Sequence, residues 1–148
     1  MVSCAVFVMH ENNANPSSVV ILDPTADTEL APSDTADGIT YFVFGGILGT
    51  HPMDGRTGRE VTARFPPEVG QRHLGVLQMT TDTAVIVTLR VLVGMEPLTS
   101  LPYVDNPKFR ISGCETLKMK GFRYLVGGGT AVLPPGMMEM WREDDTIA

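Results

Sequence analysis

The chain has 148 residues, is 43% hydrophobic and 19% charged, and carries a net charge of −6. These values suit one folded domain, 1–148, with a core of its own, and they exclude a disordered chain. The acidic balance speaks against a surface that grips phosphate everywhere, leaves room for a local basic patch, and suits a basic partner such as an arginine-rich protein segment.

In chain order, residues 4–9 (CAVFVM) and 19–22 (VVIL) are short runs apolar on both faces, the pattern of strands buried in a parallel sheet. HENNANPSS between them reads as a loop. From Asp23 to Thr40 the chain is polar, and Pro32-Ser33-Asp34 opens one short helical turn. Tyr41–Phe44 is strongly β-prone and ends on Gly45-Gly46. RTGREVTAR (56–64) is a modest helix, weakened by Gly58 and ended by Phe65-Pro66-Pro67. Arg72 to Met79 reads as an extended stretch interrupted at Gly75.

Residues 80–93, TTDTAVIVTLRVLV, pull two ways. Val and Ile favour a strand. Thr80, Thr81 and Asp82 suit a helix start, the run is long for a strand of about five or six residues, and Gly94 and Pro97 supply a stop. The expectation is a helix, apolar almost all round and therefore buried. Beyond Pro97, PYVDNPKFRIS, ETLKMKGFRYL and TAVLPPG read as short extended pieces, with Gly127-Gly128-Gly129 as a hairpin turn. Pro134-Pro135-Gly136 leads into a last turn of helix, MMEMWRE.

Cys4 and Cys114 lie far apart and outside any CxxC, so neither a disulfide scaffold nor a thiolate zinc site is expected, and a reducing, cytoplasmic setting is. His10, His51 and His73 lack HExxH spacing, and no metal centre is expected. No apolar run reaches the roughly 18–20 residues of a membrane helix, and MVSCAVFVM lacks the basic start of a secretory leader.

Gly45, Gly46 and Gly49 crowd the end of the Tyr41–Phe44 run. Neither GxxxxGK[ST] nor GxGxxG is present, which argues against a nucleoside triphosphate. Two readings stay open: a tight turn with positive φ, or a loop whose bare backbone approaches a flat, weakly charged ring. LGVLQMTTDTA (74–84) has the same character, and its Thr80, Thr81 and Asp82 equally suit a helix cap. Ligands of open α/β sheets lie beyond the carboxyl ends of strands. Two such loops on neighbouring strands would make one adenosine-sized pocket.

YFVFGGILGTHPMDGRTGRE, LGVLQMTTDTA and FRYLVGGGTAVLPPGMMEM resemble, in order, three blocks of one SPOUT-class methyltransferase family. Its archaeal members are described as S-adenosylmethionine-dependent RNA methyltransferases, and its fungal member as a protein arginine methyltransferase acting on a small-subunit ribosomal protein. The likeness runs from about Val19 to Trp141. Thr50 and Met53 depart from an acidic residue and a proline usual in the family, and the N-terminal part is expected to be shortened. The resemblance implies an α/β fold, a mostly parallel sheet flanked by helices, with a C-terminal trefoil knot. It implies that S-adenosyl-L-methionine binds in the knot. Phe44, Gly45, Gly46 and Gly49 would wall one side, Leu74, Gly75 and Leu77 would meet the adenine or ribose, and Gln78, Met79, Thr80 and Thr81 would form the threaded loop.

An arginine acceptor gives up its proton reluctantly, and a carboxylate that holds the guanidinium by paired hydrogen bonds assists it. Asp82 and Asp54 are the acids nearest the expected pocket in sequence, and each is equally suited to a cap or a turn. Arg56 and Arg59 suit either an anion or open solvent. The expected activity is methyl transfer to an arginine of a ribosomal protein. RNA methylation and a catalytically silent knot domain that binds ribosomal components are the alternatives, with a monomer or a homodimer both open.

Overall fold

The computed structural model describes residues 15–45, 52 and 54–144. Strand β1 (Val19–Leu22) lies between β2 (Tyr41–Phe44) and β3 (Gly70–Arg72), all three parallel. The register sets Leu22 beside Phe44 on one flank and Arg72 on the other. A central parallel strand needs apolar side chains on both faces, and VVIL supplies them. Val20 and Leu22 join one core cluster with Leu30, Val87, Val91 and Leu125, while Ile21 joins Val43, Val61 and Val69 in the other. The run CAVFVM lies outside the described residues.

One face of the sheet is covered by α1 (Arg56–Glu60) and a 3₁₀ turn at Thr62–Arg64. The helix expected over 56–64 is thus two short pieces broken at Val61, and Phe65 turns extended before its prolines, as expected. The other face is covered by α2 (Thr81–Leu92), so helix geometry prevails over the β propensity of its valines. Full burial of that helix does not hold. Val87 and Val91 are inaccessible, but Val85, Leu89 and Val93, four apart along one side, are exposed, Leu89 at 54%. An apolar sequence does not by itself say how many neighbours the fold provides.

The C-terminal part is antiparallel. β4 (Tyr103–Asp105) pairs with β7 (Arg123–Gly127), which pairs with β8 (Thr130–Ala131). Gly128 and Gly129 turn between the last two with φ of 60° and 83°, the twist a tight hairpin requires. β5 (Lys108–Arg110) and β6 (Thr116–Lys118) form a separate hairpin. α3 (Met137–Asp144) closes the described chain and sets Trp141 against Phe109, which in turn meets Tyr124 edge-on. The 72–79 stretch begins earlier than expected, as β3 at Gly70. After that it makes only isolated bridges, His73 with Glu29 and Gln78 with Phe122.

Candidate active site at the carboxyl edge

Parallel strands deliver their following loops to the same edge. Phe44-Gly45 leaves β2 there, and His73-Leu74 leaves β3 there, with Asp23 at the end of β1 between them. The two loops therefore do not leave neighbouring strands, as the one-pocket expectation required: β1 lies between, and two strand spacings separate them, about 10 Å. Phe44, Leu74 and Met79 are partly buried and pack against a common core cluster. Gly46 and Gly49 lie outside the described residues.

Both loops are anchored. A Cβ on Gly45 would come to 3.1 Å from Thr57 Oγ1, so the start of the glycine loop sits tight against α1. Asp23, 1% exposed, ties the same neighbourhood to the sheet: it accepts from the Thr25 N–H at 2.9 Å, and the Thr25 and Thr62 hydroxyls each donate to it at 2.7 Å. Nothing in the motif blocks singled it out. The available signal was an acid placed directly behind a strand apolar on both faces, where burial is unavoidable.

The second loop is held at its two ends. His73 exchanges backbone hydrogen bonds with Thr28 and Leu30, and its Nδ1 accepts from the Gly75 N–H at 3.0 Å. Gly75 has φ +113°, a conformation that disfavours any side chain. Leu77 is half-buried, and buried Gln78 accepts the Arg123 N–H through its backbone carbonyl at 2.9 Å. Thr80 is the N-cap residue of α2, but its hydroxyl meets Thr83 at 2.9 Å and hydrogen-bonds Tyr124 instead of capping. Thr81 is exposed. Burial pushes the Tyr124 phenol up, the Thr80 hydrogen bond pulls it down, and the Asp82 carboxylate pushes it up again.

The two candidate acids differ. Asp54 is exposed and pairs with Arg59 at 3.4 Å. Asp82 Oδ2 is shut off from solvent and, among the described residues, has no hydrogen-bond partner. The Tyr103 hydroxyl is in the same state; burial pushes that phenol up, and the Arg123 guanidinium 4.8 Å from its ring centroid pulls it down. Buried polar atoms without partners are rare, and one carboxylate oxygen in that state marks a place where a donor is expected. Arg56 pairs with Glu60 at 3.0 Å. Among the described residues no group of three His, Cys, Asp or Glu could hold a metal ion, and no helix is long and apolar enough to cross a membrane.

Glycine-bearing loops at the carboxyl edge of a parallel sheet, and one carboxylate oxygen without a partner among the described residues, make a candidate ligand site on an α/β fold. The sequence pattern of the SFM1-like family, protein arginine N-methyltransferase SFM1-like, matches residues 3–147, and the chain belongs to that family. The match begins well before Val19. Over 127 residues the chain is 39% identical to protein arginine N-methyltransferase SFM1 of Saccharomyces cerevisiae, covering 85% of this chain and 58% of that protein. The crystal structure of the yeast enzyme complexed with SAM superposes with a TM-score of 0.80 at 37% identity, covering 88% of this chain and 57% of that one. The complex with SAH gives 0.76 at 38% identity over 84% and 58%. The chain therefore spans a little under three fifths of its yeast relative's length.

Proposed function

We propose that this chain is an S-adenosylmethionine-dependent methyltransferase of the SPOUT class that acts on a protein arginine. The likeness to the SAM-complexed yeast structure carries this reading. The carboxyl edge fits an adenosyl group: Phe44, Leu74 and Met79 offer partly buried apolar surface, and Gly45 and Gly75 bring bare backbone to both flanks. These residues with Gly46, Gly49 and Leu77 would wall the nucleoside, and Gln78, Met79, Thr80 and Thr81 would form the loop through which a C-terminal knot is threaded. When bound, the cofactor supplies an electrophilic methyl group on a sulfonium.

The protein's own contribution is to hold the acceptor. A guanidinium offers five N–H donors in a planar fork. Asp82 Oδ2, buried and without a partner among the described residues, is the acceptor suited to it, whereas Asp54 is engaged by Arg59. The nitrogen that gains the methyl group loses a proton, and the carboxylate keeps the cation in place until it does. The acceptor fits an arginine of a small-subunit ribosomal protein in the cytoplasm, and the net charge of −6 favours such a basic chain over RNA.

The test is calorimetry with S-adenosylmethionine, then labelled methyl transfer into a ribosome-containing lysate divided into protein and RNA. Binding heat and methylarginine in a protein band are expected. Label confined to RNA would move the acceptor to nucleic acid, and absence of heat would leave a silent binding domain. Asp82→Asn should keep cofactor binding and lower kcat/KM by about ten- to a hundredfold, the worth of a hydrogen bond to a charged group.

A further inference from the structure

All three lysines of this acidic chain, Lys108, Lys118 and Lys120, fall within the β5–β6 hairpin and the turn after it, together with Arg110. Between Pro107 and Phe122 they stand against a single acid, Glu115. The register makes them one surface. Lys108 lies directly opposite Lys118, and Arg110 lies two residues along the same strand, so all three project from the same face. All four cationic residues are exposed.

The opposite face is apolar and spoken for. Phe109, opposite Leu117, meets Tyr124 at 5.6 Å and Trp141 at 5.3 Å between ring centroids. The hairpin thus cannot turn over, and its basic face is fixed outward. Like charges directly opposite one another destabilise a strand pair. Elsewhere Arg56, Arg59, Arg72, Arg90 and Arg123 each pair with an acid. None of the lysines does so among the described residues. Arg142 from α3 reaches the hairpin by donating to the Ile111 carbonyl at 3.2 Å, and Arg110 donates to Gly113 at 2.8 Å.

We propose that the outer face of the β5–β6 hairpin binds the phosphate backbone of RNA. Cations at alternate positions of a strand form a row about 7 Å apart, with a second strand beside it, which suits a line of discrete phosphates. The hairpin exposes no large apolar side chain among the described residues, so it lacks both the wedge for a lipid surface and the stacking platform for reading bases. Contact is therefore with backbone alone, independent of sequence, and independent of which group accepts a methyl. On an otherwise acidic molecule, it orients the protein on an RNA-bearing particle without coating it.

Fluorescence anisotropy with a labelled short RNA duplex tests this, using the whole chain. Binding should weaken with salt with a log–log slope near −3, from three to four phosphates at about 0.9 each. Lys108→Gln, Lys118→Gln and Lys120→Gln combined should weaken it at least tenfold and flatten the slope by about one per lysine. Lys118→Gln alone removes a repulsion, so it should melt no lower than the parent and still lose affinity. No binding at low salt, or equal binding by the parent and the triple variant, overturns the proposal. So does equal affinity for polyglutamate or phosphatidylserine vesicles, since the face would then answer to any anion.

Discussion

In β1, Val20, Ile21 and Leu22 are all buried, whereas β4, β5 and β6 contain no fully buried residue. The parallel half is held by side chains that have left water, and the two buried acids among its described residues are both satisfied, Asp23 by neutral donors and Asp34 by the Ala31 N–H at 2.9 Å and the Arg72 guanidinium at 2.8 Å. The antiparallel half is held by tight turns, aromatic contacts and exposed charge pairs such as Arg123 with Asp105, at 2.7 and 2.9 Å. β7 joins them, because Leu125 enters the main core while Tyr124 faces Phe109. Desolvation thus fixes the scaffold of the carboxyl edge, and weaker, adjustable contacts shape the outer hairpins.

The sharpest test of that contrast is to cut matching apolar side chains. Ile21→Ala should cost about 2–5 kcal/mol in urea unfolding, and Leu117→Ala, from a half-buried site in the outer hairpin, about half as much or less. Equal losses would break the distinction. Asp23→Asn comes next. The amide keeps the shape but turns one of the two acceptor oxygens into a donor, facing either the Thr62 hydroxyl or the Thr25 N–H and hydroxyl, so about 1–3 kcal/mol is expected by thermal melting. A change below measurement error would mean that the edge does not need this anchor.

Asp105→Asn should be smallest, below about 1 kcal/mol, because the pair is largely exposed. Its pH dependence gives it away. The hydrogen bond from Arg123 holds the Asp105 carboxyl below its ordinary value of 3.8. Its contribution is therefore complete above that value and fades as pH falls through the lowered one. The gap between parent and variant should be present at neutral pH and close in acid, and a gap that widened in acid would reverse the assignment.

The parallel scaffold was legible in the sequence because VVIL and YFVF admit few alternatives when both faces must be covered. The helix over 81–92 was legible from its start and stop signals, but its exposed side was not, since Val85, Leu89 and Val93 look no different from Val87 and Val91 until neighbours are placed. β3 was displaced because its edge position tolerates polar Gln71 and Arg72, which carry no strand signal. At the candidate site, both loops could be named from their glycines, whereas the signal for Asp23, its place directly behind a strand apolar on both faces, was not used. The basic face of the hairpin depends on register, which pairs Lys108 with Lys118 across a turn that composition alone does not align.

The segment from His73 to Gln78 is tethered upstream to Thr28 and Leu30 and downstream to Phe122 and Arg123. A chain emerging from its N-terminus has the first tether long before the second. Closing such distant contacts is slow, and the segment reaches its final shape only when β7 has docked. Ligand capture there would then act as a timer, reporting that synthesis has passed β7.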